Sequence, residues 1–196
     1  MDERLKSQIN FLIEIDKMKT ILRQTLLVDK SKRENDAEHS WHFAVMAMIL
    51  FEYNNQVEAD ILRVLKMALV HDLIEVYAGD TFAYDEKGNE TKQERELEAA
   101  DKIFGLLPGD QRDEMYNLWW EFEKAQTPDA KYAAAIDRLQ PLINNYMTEG
   151  HTWKTGNVTS DKVYKRLEIV KEAAPKLWNL ADDMVKSSIE KGYLKK

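Results

Sequence analysis

Only 7 Gly and 4 Pro punctuate the 196 residues, and the β-branched runs expected of strands are missing. Gly and Pro are the strongest local breakers of regular structure, so a chain that seldom breaks and seldom alternates is left with helices. Hydrophobic residues at 44% and charged residues at 32% provide both a core and a solvated surface. The length suits one well-buried domain and is too short for two. The expectation is a single all-α helical bundle spanning residues 1–196.

Apolar spacing and capping signals place the helices. Leu5, Ile9, Leu12, Ile15 and Leu22 predict a first helix over about Leu5–Arg23, followed by a polar loop Asp29–Glu34. Asn35 with Glu38 reads as a capping box that opens a second helix running to about Tyr53. A third helix spans about Asp60–Ala78, with Gly79 at the C′ position, and Asp80–Thr91 reads as a loop. A fourth covers Lys92–Leu107, and Asp110 caps a fifth over Gln111–Gln126. Thr127-Pro128 opens a sixth as N-cap and N1, which Pro141 is expected to kink. After a loop Glu149–Thr159, the last helical region covers Ser160–Lys191 and breaks at Pro175.

Charge and composition exclude several functions. A formal net charge of -7 leaves no excess of Lys and Arg to displace phosphate counterions, so nucleic acid is not an expected partner. With no Cys there is no disulfide, thiolate zinc site or cysteine nucleophile. No stretch approaches the ~20 apolar residues of a membrane span, and Met1–Lys6 lacks a secretory apolar core, so a cytoplasmic location is expected. Met115, Leu118, Trp119 and Phe122 form one stripe, with Tyr116 and Trp120 on a neighbouring side. Aromatics on two sides of a short helix predict an interface, and hence a homodimer.

His71-Asp72 lies in an otherwise apolar run, Ala68–Ile74. An imidazole beside a carboxylate is costly to bury unless each finds a partner or a metal. His39, in the first turns of the second helix, and Asp137, in the sixth, are the groups that complete a set of two His and two Asp. That hard, mixed N/O set suits a divalent ion: Mn²⁺, Co²⁺, Fe²⁺, Ni²⁺, Zn²⁺ or Mg²⁺. Glu75 lies four residues after His71 and three after Asp72, on the same side of the helix, where a carboxylate can relay the proton of an attacking water.

The order His39…His71-Asp72…Asp137 resembles the signature of the HD superfamily of metal-dependent phosphohydrolases. Arg33-Glu34-Asn35-x-x-Glu38-His39-Ser40 and His71-Asp72-x-x-Glu75-x-x-x-Gly79-Asp80 are similar to one branch, the bacterial 5′-deoxynucleotidases, over about Arg23–Asn145. The resemblance implies an all-α fold, with a divalent ion held by His39, His71, Asp72 and Asp137. It also implies that Glu75 handles the attacking water and that Asp80 helps hold a nucleotide. Arg23 is the basic residue at the matching position, and a guanidinium suits bidentate contact with phosphate. Arg33, Lys30 and Lys32 are alternative phosphate contacts. Where relatives often carry an aromatic residue after that Arg, Gln24-Thr25-Leu26-Leu27 follows here.

The implied activity is hydrolysis of a (deoxy)ribonucleoside 5′-monophosphate to nucleoside and phosphate. The alternatives are another nucleotide phosphoester (a cyclic dinucleotide, a nucleoside triphosphate or an alarmone) and a non-catalytic module that senses metal or nucleotide. His42, three residues after His39, reads as a support for the ligand set, Arg138 as a salt-bridge residue, and His151 has no nameable partner.

Overall fold

A computed structural model describes residues 2–196. The helices follow in the order α1 (Glu3–Ile15), α2 (Asp36–Leu50), α3 (Ile61–Val70), α4 (Glu75–Ala78), α5 (Glu86–Glu90) and α6 (Lys92–Phe104). They continue with α7 (Gly109–Lys124), α8 (Pro128–Met147), α9 (His151–Thr155), α10 (Ser160–Ala173) and α11 (Pro175–Glu190). Two short strands, β1 (Leu22–Leu26) and β2 (Arg33–Asn35), pair antiparallel between α1 and α2. The helical class read from the sequence holds, with this hairpin as an addition.

Helix α8 is the axis of the molecule. It packs against α2, α3, α7, α10 and α11, and residues on all its sides are buried, including Ala133, Ala134, Ala135 and Ile136. A helix hydrophobic all round belongs inside a protein, and small side chains let neighbours approach closely. Thr127 caps it by accepting a hydrogen bond from the Ala130 amide, with Pro128 in the first turn as expected. The Tyr132 hydroxyl donates to the Ala47 carbonyl at 2.9 Å, fixing α8 against α2. Pro141 does not divide the helix, which continues to Met147. No described helix is long and apolar enough to cross a membrane.

Four expected segments change. The first helix ends at Ile15, a 3₁₀ turn covers Asp16–Thr20, and Arg23 stands on β1 rather than at a helix end. The cause is the turn that follows: Asp29 accepts from the Ser31 amide and hydroxyl, and Lys30 takes a left-handed φ of 64°, which folds the chain back as a hairpin. The expected third helix breaks at Val70 and resumes at Glu75. The expected loops at Asp80–Thr91 and Glu149–Thr159 each contain a short helix, α5 and α9.

The aromatic stripe of α7 is core. Leu118, Trp119 and Phe122 are buried, Tyr116 stacks edge-on to Phe104 and Trp119, and Lys124 sits 4.2 Å from the Trp120 ring centroid.

Candidate active site

His39 owes its place to the start of α2. Asn35 accepts a hydrogen bond from the Glu38 amide at 2.9 Å, and the Glu38 carboxylate accepts from the Asn35 amide at 3.0 Å, the reciprocal capping box. This fixes the first turn and leaves His39 fully buried, one residue on. Its Nδ1 lies 3.1 Å from Oε1 of Gln140 on α8. The Gln140 amide nitrogen donates to Glu34 at 2.6 Å and approaches His42 Nδ1 at 3.2 Å. Gln140 therefore presents its oxygen to His39, Nδ1 carries the proton, and Nε2 keeps its lone pair.

His71 arrives at the same tautomer by another route. Its Nδ1 donates to the Ala68 carbonyl at 3.0 Å, and its buried Nε2 has no hydrogen-bond partner. The Nε2 atom lies 3.0 Å from Asp72 Oδ2, outside hydrogen-bond alignment, and 3.7 Å from Asp137 Oδ1. His39 Nε2 lies 3.0 Å from Asp137 Oδ1 and 3.8 Å from Asp72 Oδ2. Two imidazole lone pairs and two carboxylates thus converge in a buried place, an arrangement that repels itself without a cation. Burial disfavours charge on His71, Asp72 and Asp137, but the pairing wins: the charge of Asp72 raises His71, His71 and Arg23 lower Asp72, and Arg138 and His39 hold Asp137 well below the usual carboxylate range. The donor set and the orphaned His71 nitrogen fit a divalent ion of the kinds named above.

The break after Val70 shapes the rest of the site. Over His71–Tyr77 the backbone tightens, with i→i+3 hydrogen bonds from the amides of Leu73, Glu75 and Tyr77 to Val70, Asp72 and Ile74. At three residues per turn, positions i and i+3 eclipse, so Asp72 and Glu75 stack. Both are buried, and each offers an oxygen within 4.8 Å of the other and of Asp36. Burial, with Asp72 and Asp36 nearby, pushes the Glu75 carboxyl well above its ordinary range; burial and Asp72 push Asp36 up to about 7. Asp36 escaped the sequence reading because it looked like an ordinary acidic residue in a helix's first turn.

Arg23 reaches this cluster from β1. Its guanidinium donates to Asp72 at 2.7 Å and lies 3.7 and 3.8 Å from Asp36 and Glu34. It lines the cavity above the cluster, a space of about 150 Å³ whose wall also includes Asp80. Burial, opposed by Arg23, raises the Asp80 carboxyl. Arg33 does not join them. Where β1 bulges against β2, its guanidinium donates to the Leu22 and Arg23 carbonyls, and it is absent from the cavity wall. In this structure Arg33 braces the strand.

Lys30 and Lys32 pair on the surface with Glu149 and Glu38. His42 supports His39 through Gln140, and exposed His151 opens α9. Arg138 pairs with Asp137, as a salt-bridge residue, yet it also lines the cavity. Aromatic surface comes from Phe82, Tyr84 and Trp153, and a further cation from Arg166 on α10. The loop carrying Phe82 is anchored by Arg95, which donates to the Ala78 and Gly88 carbonyls and the Thr81 hydroxyl. Spacing gave no signal for these residues, because they come from four separate segments.

A family model described as "HD domain" matches residues 15–178. The human protein named 5′-deoxynucleotidase HDDC2 is 31% identical over 154 residues, which is 78% of this chain and 74% of that protein. The fission yeast 5′-deoxynucleotidase hdd1 is 30% identical over 148 residues, 73% of each chain. A crystal structure described as a predicted metal-dependent phosphohydrolase from Magnetospirillum magnetotacticum superposes with a TM-score of 0.94 at 51% identity, covering 98% of this chain and 96% of that one.

Proposed function

This chain belongs to the HD-domain family, and from that premise we propose that it hydrolyses (deoxy)ribonucleoside 5′-monophosphates to nucleoside and phosphate, using a divalent ion. The observation that carries the reading is the convergence of His39 Nε2, His71 Nε2, Asp72 and Asp137 at the foot of a cavity that Glu75 and Arg23 also line. The activity in the names of the human and yeast relatives supports the choice of substrate.

His39, His71, Asp72 and Asp137 would hold the ion, which, once bound, lowers the pKa of water and withdraws charge from a phosphoryl oxygen. Glu75, buried one turn on from His71 and Asp72 and lining the same cavity, accepts the proton of the attacking water. Arg23, oriented by Asp72, donates to the phosphoryl oxygens as negative charge shifts onto the leaving group. Asp80 accepts from the sugar, and Phe82, Tyr84 and Trp153 offer the apolar surface for sugar and base that Gln24 does not supply.

A cytoplasmic homodimer completes the reading. The support for association moves from α7 to α2, where Trp41 is 66% and Ile49 68% exposed, eight residues apart on one face.

Phosphate release from a panel of ribo- and deoxyribonucleoside 5′-monophosphates, cyclic dinucleotides and nucleoside triphosphates tests the activity. Turnover confined to the 5′-monophosphates supports it. Turnover of another phosphoester alone, or of none, overturns it.

A further inference from the structure

One cation in the cavity wall has no use within the fold. Each of the others has an acceptor: Arg23 has Asp72, Lys92 has Glu96 at 3.2 Å, and Arg138 has Asp137. Arg166, half-buried on α10, lines the same wall. Among the described residues no carboxylate lies within ion-pairing distance of its guanidinium and no acceptor takes a hydrogen bond from it, although Asp137 and Tyr84 are close enough to favour its charge. Burial, and the Arg138 guanidinium beside it, push its pKa down to about 10, which leaves it charged at neutral pH. Five N–H donors partly withdrawn from water, next to a like charge, destabilise a folded protein.

Packing does not require this arrangement. α10 packs on α8 and α11, and its buried residues are Val163, Leu167, Val170 and Ala173, so Arg166 could be replaced by a neutral side chain without loss of core. The arrangement makes sense if an anion completes it. A phosphoryl dianion brings three oxygens into a cavity where Arg23 is already largely engaged by carboxylates. A planar guanidinium with unspent donors can take two of them. We propose that Arg166 binds the phosphoryl group of the substrate, with Arg138 next to it, so that guanidinium groups from β1 and α10 both bear on one phosphate. This rests on the proposed phosphohydrolase reading.

The test titrates inorganic phosphate into the metal-loaded protein by calorimetry and compares the parent with Arg166→Gln and Arg166→Lys. The expected result is phosphate binding by the parent, at least tenfold weaker binding by Arg166→Gln, and an intermediate value for Arg166→Lys. Without ligand, Arg166→Gln should melt roughly 2–4 °C higher, since it relieves a charge the fold does not satisfy. An arginine with a structural role would show the reverse, a lower melting temperature. Equal phosphate affinity in parent and Arg166→Gln, no phosphate binding by the parent, or a fall in melting temperature overturns the proposal. So does a loss of deoxynucleoside affinity with phosphate affinity kept, which would place Arg166 at the sugar or base. Arg166→Lys, which keeps the charge, gives a second and independent reading, with a several-fold loss of phosphate affinity expected. Should the parent hydrolyse no 5′-monophosphate, the proposed reaction fails, while the phosphate titration still decides the role of Arg166.

Discussion

Asp36, Asp72 and Glu75 bring three carboxylates together, and of these only Asp72 accepts a hydrogen bond from Arg23, which lies 3.7 Å from Asp36. Replacing Glu75 with Gln keeps shape and removes the base, so turnover is expected to fall by roughly 10²–10⁴ with metal content kept; metal analysis beside kcat separates the two. Asp36 sets a pH dependence in the metal-free protein. Its carboxyl rises from 3.8 to about 7 on folding, so between those values the folded state holds a proton that the unfolded state has released. Its effect on stability is therefore increasingly unfavourable as pH rises from about 4 to 7. Asp36→Asn should raise the melting temperature of metal-free protein at pH 8 and change it little at pH 4; an equal change at both would contradict the assignment. That His39, His71, Asp72 and Asp137 converge was legible from their identity, their order and the family resemblance these carry. Asp36 and Gln140 were not, because their importance arises from burial and from partners far along the chain, and Arg166 was not, because only the fold brings it to the cavity wall.

Short elements place these residues. The capping box at Asn35 was legible because it is local: a side chain three residues from its partner. Asn35→Ala should lower stability by about 1 kcal/mol, the usual cost of losing such a cap, measured by denaturant titration. The hairpin holding Arg23 was not legible. Leu22 fits the helical spacing of the first segment, yet it lies exposed on a strand whose bulged carbonyls are satisfied by Arg33. The tightened turn at His71–Tyr77 was equally hidden, since its residues read as an apolar helix and only the backbone bonding distinguishes them. Gly79 was placed correctly, and its φ of 74° explains why glycine ends this element. Beyond it, the loop with Asp80 and Phe82 depends on Arg95. Arg95→Ala is expected to raise KM several-fold with a smaller effect on kcat, because it loosens the proposed sugar and base wall without touching the proposed metal ligands.

At the scale of the molecule, the helical class followed from scarce breakers and from caps that began where expected, as at Thr127. The burial of α8 on all sides is what lets residues from α2, the turn after α3 and α8 meet, since His39 and His71 face Asp137 across it. The α7 stripe behind the expected association is buried core, because aromatic spacing alone cannot distinguish a core stripe from an interface. Light scattering should give twice the chain mass, and Trp41→Glu with Ile49→Glu should give the monomer; a monomeric parent would remove the dimer. The most direct test of the metal-dependent reading is a titration. Protein stripped by chelation is given increments of a divalent ion, and phosphate release from a 2′-deoxynucleoside 5′-monophosphate is followed. The expected result is no release without metal, a rise that saturates at one ion per chain, and no recovery by His39→Ala. Undiminished release from the stripped protein, or full recovery by that variant, would contradict it.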